Sequence, residues 1–244
     1  MNTPYSTVEL SLSTETEASD DRPSVGLVVL TTDMTTERDF AALTQRHRLK
    51  FNQYVNRITF CNPITVENLY AMLEELGGVA EQIVPAVDLD AVVFCCTSAS
   101  AIIGDHAIEA AISKVKSTAE IITTAKASVS MLRRHGHRRI KLLTPYDKNV
   151  SCRLADYFEE NGLEISSLHY MDIADDRDVA RLSSDYILQA AQASADPSAD
   201  CLFISCTAMR VVEIRQQLQE SLKQPVFSSN YATFWETMSR IGLN

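Results

Sequence analysis

Two apolar segments, each ending in the dipeptide Cys-Thr, constrain the fold more than any other feature of this 244-residue chain. The first reads "DAVVFCCT" and the second "DCLFISCT", and in each an aspartate lies six residues before Cys96 or Cys206. The two cysteines are 110 residues apart, and a threonine follows both, Thr97 and Thr207. A second pair of segments, "VGLVVLTTD" and "RIKLLTPYD", corresponds at an offset of 114. A nearly constant offset over two separate elements predicts duplication of one unit.

Unbroken apolar runs alternate with segments of helical spacing through both copies of the repeat. Such runs are typical of parallel strands covered by helices on both faces. We therefore predict an α/β fold with two similar doubly wound parallel-sheet halves, related by pseudo-twofold symmetry, and an active site in the cleft between them. The predicted strands are 25–30, 54–60, 90–95, 140–145, 163–173, 199–205 and 224–229. The predicted helices are 35–47, 65–84 (with Thr65 as N-cap), 98–115, 125–136, 151–162, 183–194, 207–222 and 230–242.

The domain organisation follows from this alternation. Residues 1–23 carry five carboxylates against one arginine and are rich in Ser and Thr, which favours a flexible tail. We predict a first α/β half over 24–126, to which the C-terminal helix 229–244 packs back, and a second half over 127–228.

Charge and composition narrow the class of protein. A formal charge of −10 argues against nucleic acid or an anionic membrane as partner, because both require a basic face. No apolar run is long enough to span a bilayer, and the N-terminal segment does not resemble a signal peptide. Six dispersed cysteines do not suggest a disulfide framework. We expect free thiols and a cytoplasmic protein.

The two repeated cysteines are the candidate catalytic groups. Ligands bind beyond the carboxyl ends of parallel strands, where Cys96 and Cys206 are predicted to face each other. Each is expected near a helix N-terminus, which would lower the thiol pKa from about 8.5 toward neutrality, a preference of about 2 kcal/mol for thiolate. One thiol could then remove a proton from one face of a carbon while the other delivers a proton to the opposite face. Alternatively, one thiolate adds to an activated double bond.

No metal and no cofactor is expected, because the chain has no Gly-rich phosphate loop and no HExxH or CxxC motif. A single strand-end cysteine is more often structural, but the matched pair favours catalysis. Alternation along the strand sends Cys95 to the opposite face from its neighbour, so a packing role is predicted for it. The same role is predicted for Cys61, Cys152 and Cys201. The basic segment around His135 and His137 is predicted to be a solvated loop.

These residues resemble the aspartate/glutamate racemase superfamily, and within it the branch of maleate cis–trans isomerase, arylmalonate decarboxylase and ectoine utilization protein A. The last is the nearest match, and the resemblance covers residues 25–244. The matching motifs are "TERDF" (36–40), "NPITVENL" (62–69), "CTSASAIIGD" (96–105), "LLTPY" (142–146), "SCTAMR" (205–210) and "SSN" (228–230). The resemblance implies a cofactor-independent enzyme and a homo-oligomer, either dimer or tetramer.

The resemblance also assigns roles. It implies that Cys96 is nucleophile or base and Cys206 the opposing acid or base. It implies that Tyr146 contacts the substrate, although a strand-end tyrosine with a solvated hydroxyl is the plainer interpretation. A cradle for the substrate carboxylate is implied for Thr97, Ser98 and Thr207, which could also serve as N-caps.

The chain departs from maleate isomerases at two positions. Asp33, which follows Thr32 after the first strand, and Asp176 stand where those enzymes carry asparagines. Two carboxylates would repel a dianion by about 1 kcal/mol or more per contact, which argues against maleate. They suit an amino-acid derivative or an ectoine-like ring, provided that neither is merely a helix cap. Thr32, Asp33 and Asp176 are therefore added to the predicted substrate-binding residues.

The expected function is a two-cysteine isomerase or racemase acting on a small carboxylate, from an amino acid or from ectoine or hydroxyectoine. Two alternatives on the same scaffold are a lyase (decarboxylase or dehydratase) and a maleate cis–trans isomerase. A third is a small-molecule binding protein that kept the fold and lost the chemistry.

Overall fold

The structure is a computed structural model, which describes residues 6–8, 10, 21–194 and 196–243. The predicted tail, residues 1–23, lies largely outside the described residues. The first half comprises β1 (Ser24–Leu30), α1 (Thr36–His47), β2 (Asn52–Ile58), α2 (Val66–Ala71), α3 (Leu73–Glu81), β3 (Ala91–Cys95), α4 (Thr97–Ile103), α5 (Asp105–Ser113), β4 (Glu120–Thr123) and α6 (Thr124–Arg134). The second comprises β5 (Arg139–Thr144), α7 (Lys148–Glu160), β6 (Glu164–Tyr170), α8 (Asp176–Ala180), α9 (Ser184–Ala193), β7 (Cys201–Ile204), α10 (Arg215–Leu222) and β8 (Val226–Ser228), and α11 (Ser229–Arg240) follows.

The strands form two four-stranded parallel sheets with the same internal order. The first is β2-β1-β3-β4 and the second is β6-β5-β7-β8. In each sheet the first strand of the half lies between the second and the third. The predicted α/β fold of two similar halves is therefore confirmed.

The repeat is visible in the roles of paired aspartates. Asp90, before β3, accepts a hydrogen bond from the backbone N–H of Ser24 at 2.7 Å. Asp200, before β7, accepts from the backbone N–H of Arg139 at 2.9 Å. Each aspartate thus fastens the start of the third strand of its half to the start of the first. This shared function explains why both precede their cysteine by the same number of residues.

Five segments differ from the sequence prediction, and two of them are the helix predicted over 98–115, which is divided at Gly104 into α4 and α5, and the unpredicted short helix α8. The helix predicted over 65–84 is divided at Met72 into α2 and α3, and Thr65 caps α2 as expected by accepting from Asn68 N at 3.2 Å. The short strand β4 was missed, because only four residues form it before α6 begins. The helix predicted from residue 207 begins only at Arg215. The segment between carries five buried apolar residues, so it packs as a turn on the core: Ala208, Met209, Val211, Val212 and Ile214.

Helix α11 connects the end of the second sheet to the first half. Its Phe234 and Met238 are fully buried with Leu27 of β1 and Phe40 of α1. Phe234 meets Phe40 edge to face, with ring centroids 5.3 Å apart. A second, larger apolar cluster contains buried side chains of both sheets, so the halves share a core.

The described helices are shorter than a helix that crosses a membrane. The longest described helix, α7, has 13 residues, against about 20 needed to cross the hydrocarbon core. None of the helices in the described part of the chain is long and apolar enough to span a membrane.

Candidate active site

The two repeated cysteines lie at equivalent ends of the two sheets. Cys96 directly follows β3 and is the N-cap residue of α4, with extended backbone. Cys206 lies two residues beyond the end of β7, and its φ is +108°. Their exposed fractions are 5% and 4%, and the thiols are close enough for the charge of one to raise the pKa of the other. The structure therefore brings both thiols into the apolar core that the two halves share.

Tyr146 lies close enough to both thiols for their charges to raise its pKa. Burial raises its pKa well above the ordinary value, and the charges of Cys206 and Cys96 raise it further. The hydroxyl groups of Ser205 and Ser98 act in the opposite direction. A hydrogen bond with Tyr146 in turn lowers the pKa of Cys206. With only 2% of its surface exposed, Tyr146 is not the solvated strand-end residue of the plainer interpretation.

The pKa of neither thiol is lowered, and here the sequence prediction is wrong. Burial raises the pKa of Cys96 to about 12 and that of Cys206 well above its usual range. The N–H of Ala99 and the hydroxyl of Ser98 lower the pKa of Cys96, but less than burial raises it. In the absence of substrate, both thiols are protonated at neutral pH.

The expected helix N-terminus exists at only one of the two thiols. Cys96 immediately precedes α4, a helix of seven residues. Cys206 is followed by the turn that ends at α10, so no helix begins at it. The backbone N–H of Ala208, within that turn, supplies the single backbone hydrogen bond that lowers its pKa. The repeat thus preserves the position of the second thiol but not its helix.

Asp176 is the acidic group of the cleft. Its exposed fraction is 5%, and its Oδ2 accepts a hydrogen bond from Thr32 Oγ1 at 2.7 Å, which joins the two halves. Burial raises the pKa of Asp176 to about 6, the bond from Thr32 lowers it, and Asp33 raises it. Its charge is the second-largest cause, after burial, of the raised pKa of Cys206, and it also raises that of Cys96. The structure therefore places one carboxyl group near both thiols.

Asp33 has a different role, namely that of a helix cap. Its Oδ1 accepts from the backbone N–H groups of Thr35 and Thr36 at 2.7 and 2.8 Å, and its Oδ2 accepts from Thr36 Oγ1 at 2.6 Å. Asp147 in the second half caps α7 in the same way, by accepting from Val150 N at 2.7 Å. The capping alternative considered for Asp33 therefore holds, and its charge, like that of Asp176, also raises the pKa of Cys96.

The hydroxyls predicted to hold a carboxylate are divided between two tasks. Thr97 Oγ1 donates to Ser229 Oγ at 2.7 Å, and Thr207 Oγ1 donates to the carbonyl of Cys95 at 3.3 Å, so both hold the halves together. Ser98 Oγ lies 3.7 Å from Cys96 Sγ and close to Tyr146. Of the three, Ser98 has its hydroxyl beside the candidate catalytic groups.

Sequence reasoning missed several polar residues that shape the cleft. Ser205 Oγ is buried without a hydrogen-bond partner among the described residues, and it lies near Tyr146. Ser229 Oγ accepts from the backbone N–H of Cys206 at 3.0 Å. Asn62 donates from Nδ2 to Asp175 and accepts from the N–H of Asp176 at 3.0 Å, which fixes the start of α8. All three lie inside motifs that carry the family resemblance, "SCTAMR", "SSN" and "NPITVENL".

Of the other four cysteines, Cys95 directly precedes Cys96, and Cys61 is exposed, so the packing role predicted for Cys61 is wrong. Cys95 is buried in the other apolar cluster from Cys96, as alternation predicts, and Cys201 is buried as well. Cys152 is half-buried. No group of three or more His, Cys, Asp or Glu within the described ranges is arranged to hold a metal ion.

A cleft between two parallel α/β halves, with one thiol from the end of a strand in each, defines the class of cysteine-dependent enzymes of the aspartate/glutamate racemase type. Within that class, the family model of arylmalonate decarboxylase (Amdase) matches residues 62–244. The chain therefore belongs to the arylmalonate decarboxylase family.

Relatives with named activities include both enzymes of the predicted branch. Maleate isomerase from Alcaligenes faecalis is 23% identical over 234 residues, covering 90% of this chain and 91% of that one. Maleate isomerase from Nocardia farcinica is 25% identical over 228 residues, covering 90% of each. Arylmalonate decarboxylase from Bordetella bronchiseptica is 28% identical over 124 residues, about half of either chain (49% and 51%). These relatives confirm the prediction of an enzyme of the isomerase class.

Solved structures agree with the fold. The maleate isomerase Iso from Pseudomonas putida superposes with a TM-score of 0.84 at 21% identity, covering 91% of this chain and 94% of that one. A cysteine-to-serine mutant of the Nocardia farcinica enzyme superposes with a TM-score of 0.83 at 25% identity, covering 91% and 93%. That mutant carries a covalently bound succinylcysteine intermediate, so a cysteine of that relative is the nucleophile.

Proposed function

We propose that this protein is a cofactor-independent two-cysteine isomerase, of the racemase or epimerase type, acting on a small carboxylate that also carries a cationic or N–H-bearing group. Amino-acid derivatives and compounds derived from ectoine or hydroxyectoine belong to this class. The observation that carries the proposal is that Cys96, Cys206 and Asp176 are all buried and close enough for the charges of Cys96 and Asp176 to raise the pKa of Cys206. The motifs shared with ectoine utilization protein A support the narrower choice of substrate.

Two thiols from opposite halves suit proton transfer at a single carbon. One thiolate removes the proton of the substrate carbon, so a C–H bond breaks and an S–H bond forms. The other thiol protonates the same carbon from the opposite face, so its S–H bond breaks and a new C–H bond forms. The two cysteines have then exchanged protonation states, and the configuration of the carbon is inverted. No electron leaves the substrate in this cycle.

Asp176 gives the cleft its preference for a substrate with a cationic group. With a pKa of about 6 it is mostly ionised at neutral pH, and a dianion beside it would be repelled by about 1 kcal/mol or more. A substrate ammonium or N–H group would instead pair with it. Such pairing also reduces the negative potential by which Asp176 raises both thiol pKa values. The substrate would thus help to generate the thiolate that attacks it.

The substrate carboxylate would be held by neutral donors. No lysine or arginine of the described chain is among the groups that shift the pKa of either thiol. The donors near the thiols are the backbone N–H groups of Ala99 and Ala208 and the hydroxyls of Ser98 and Tyr146. Buried neutral donors of this kind stabilise the extra charge that develops on a carboxylate when its α-carbon loses a proton.

Maleate cis–trans isomerisation is the second candidate, favoured by the full-length maleate isomerase relatives. A thiolate would add to one alkene carbon, the new single bond would rotate, and elimination of the thiolate would give fumarate. The carboxyl group of Asp176 near both thiols disfavours this dianion. A lyase is the third candidate. The match to the arylmalonate decarboxylase family supports it, but a decarboxylase that uses one thiol would not need both cysteines.

The test is proton NMR in deuterated buffer with maleate, aspartate, glutamate, hydroxyectoine and N-acetyl-diaminobutyrates. The expected result is α-deuterium incorporation with inversion in a nitrogen-bearing compound, abolished in both Cys96→Ala and Cys206→Ala. Cys61→Ser, which changes an exposed thiol, is the matched control and should keep full activity. Conversion of maleate alone would favour the second candidate. Activity that persists in one of the two cysteine variants would support a lyase. Binding without exchange would support the alternative of a binding protein that has lost catalysis.

A further inference from the structure

The turn that carries Cys206 is strained and needs to be held in place. A φ of +108° places Cys206 in the region of backbone conformation that residues with a side chain rarely adopt. Conformations of this kind persist only where surrounding contacts impose them. The equivalent thiol in the first half, Cys96, has ordinary extended backbone. Whatever holds the turn therefore determines where the second thiol points.

The contacts that hold the turn come from the first half and from the start of α11. Thr35 Oγ1 donates to the carbonyl of Ala208 at 2.7 Å. Asn230 Nδ2 donates to the carbonyl of Thr207 at 2.8 Å. Together with the bonds of Ser229 and Thr207 already described, they fix the backbone on both sides of the thiol. Neither Thr35 nor Asn230 is among the groups that shift the pKa of Cys96 or Cys206.

The orientation of the Asn230 amide depends on a buried carboxyl group. The second hydrogen of Asn230 Nδ2 is donated to Asp39 Oδ2 at 2.9 Å, and Asn230 Oδ1 lies 3.4 Å from Thr36 Oγ1. If the amide were flipped, its oxygen would face two acceptors, the carbonyl of Thr207 and the carboxylate of Asp39. Asp39 therefore dictates which end of the amide meets the turn. Asp39 and Asn230 each have only 2% of their surface exposed.

We infer that Asp39 and Asn230 are positioning residues, which hold the strained turn so that Cys206 faces Cys96. The catalytic significance of this role rests on the proposed function of the two thiols. Neither residue touches the reacting groups: Asp39 acts through Asn230, and Asn230 acts through the carbonyl of Thr207.

The charge on Asp39 adds a signature that a purely structural residue would lack. Burial raises its pKa to about 7, the bond from Asn230 lowers it, and Arg38 lowers it as well. Asp33 before the same helix and Glu213 in the loop before α10 raise it. Ionised Asp39 makes a charge-assisted hydrogen bond to Asn230, which is stronger than the bond to the neutral acid. Burial outweighs this bond, however, and the raised pKa means that the closed state holds the proton of Asp39 more tightly than a state in which Asp39 is hydrated, so protection of the turn should fall between pH 6 and pH 8.

Hydrogen exchange of backbone amides, read by mass spectrometry on the full chain, tests this without any substrate. Asn230→Ala and Asp39→Ala should each raise the exchange rate of the amides of residues 206–209 by about tenfold, with peptides around Cys96 unchanged. Asp39→Asn should restore wild-type protection, because an amide oxygen can accept the same bond. It should also remove the fall in protection between pH 6 and 8 that the wild type shows after correction for intrinsic exchange.

Thr237→Val is the matched control, since Thr237 is buried on the same helix and bonds only to the carbonyl of Thr233, at 2.7 Å. It should leave the exchange of 206–209 unchanged. With a substrate in hand, Asp39→Ala should lower kcat with little change in KM. Folded variants of Asp39 and Asn230 with wild-type protection of the turn, or a control that loosens it equally, would overturn the inference. Loss of protection together with activity that survives Cys206→Ala would uphold the positioning role and refute the proposed function instead.

Discussion

Replacing Asp176 by Asn should change the pH dependence of stability in a way that reports the buried charge directly. Asn keeps an oxygen that can accept the hydrogen bond from Thr32, and it nearly preserves the shape of the side chain. What it removes is the titration of a carboxyl group that is 5% exposed. The difference in unfolding free energy between variant and wild type therefore isolates that titration.

The magnitude follows from the pKa values of the two states. The pKa of Asp176 is about 6 in the folded protein and 3.8 as the ordinary value, so the folded state binds its proton more tightly. Wild-type stability must then fall as pH rises from about 4 to 6, by about 3 kcal/mol in total. About 2 kcal/mol of this falls between pH 4.5 and 7.5. Asp176→Asn does not undergo this loss, so its free energy of unfolding relative to that of the wild type should rise by about 2 kcal/mol over that interval.

The measurement is urea unfolding of both proteins at half-unit steps from pH 4.5 to 7.5. Titration of Asp39 and of the thiols occurs in both and cancels in the difference. Asp178→Asn, on the same helix but with a side chain 64% exposed, is the matched control and should give a difference that stays flat with pH. A flat difference for Asp176→Asn as well would refute the claim that its carboxyl group is buried and protonates near pH 6.

Three further predictions test other parts of the structure. Tyr146→Phe should lower kcat about 10- to 100-fold with a smaller effect on KM, measured by steady-state kinetics on whichever substrate the NMR screen identifies, because the buried hydroxyl lies beside both thiols. A variant with unchanged kcat would remove Tyr146 from the site. In the folded protein at pH 7, iodoacetamide should label Cys61 quickly and the two site thiols slowly, as mass spectrometry of tryptic peptides would report. The labelling rate of the site thiols should rise above pH 9. Rapid labelling of these thiols at pH 7 would contradict their raised pKa values. Gly26→Ala should lower the free energy of unfolding, measured with urea, by about 1–3 kcal/mol, because a Cβ there would lie 2.9 Å from Leu89 Cδ1. Gly78→Ala should not lower it, because a Cβ at Gly78 would have no atom within 4 Å. Equal stabilities of the two would show that β1 is less tightly packed than described.

The sequence predicted what depends on spacing along the chain. An aspartate six residues before each cysteine marks the start of a strand, and a strand of fixed length then determines where the thiol emerges. Both strands end within two residues of Cys96 and Cys206, at the same edge of their sheets. The repeat also explains why the two sheets have the same internal order, because a duplicated unit keeps its connections.

What the sequence could not predict depends on packing between the halves. The segment after Cys206 has apolar residues at spacings compatible with a helix, yet Ala208, Met209 and Val211 are buried within a turn. Asp33 and Asp176 look alike in sequence, since each lies near the start of a helix. Asp33 caps a helix of its own half, whereas Asp176 accepts a hydrogen bond from Thr32 of the other half. No local pattern distinguishes them, because the difference is the approach of the other half.

The direction of the thiol pKa shifts is a question of relative magnitude. A helix N-terminus stabilises an anion by about 0.3–1 kcal/mol, whereas full burial can shift a pKa by 3–5 units, each worth about 1.4 kcal/mol. At Cys96 both effects operate, and burial prevails. A two-thiol enzyme with protonated cysteines needs activation that arrives with the substrate. Under the proposed function, a cationic substrate group paired with Asp176 would supply this activation, because it would offset the negative charge that raises both pKa values. Thiol labelling at pH 7 should therefore accelerate when a small cationic substrate analogue binds, and should slow when a dicarboxylate binds. The opposite pattern would show that Asp176 does not select the substrate.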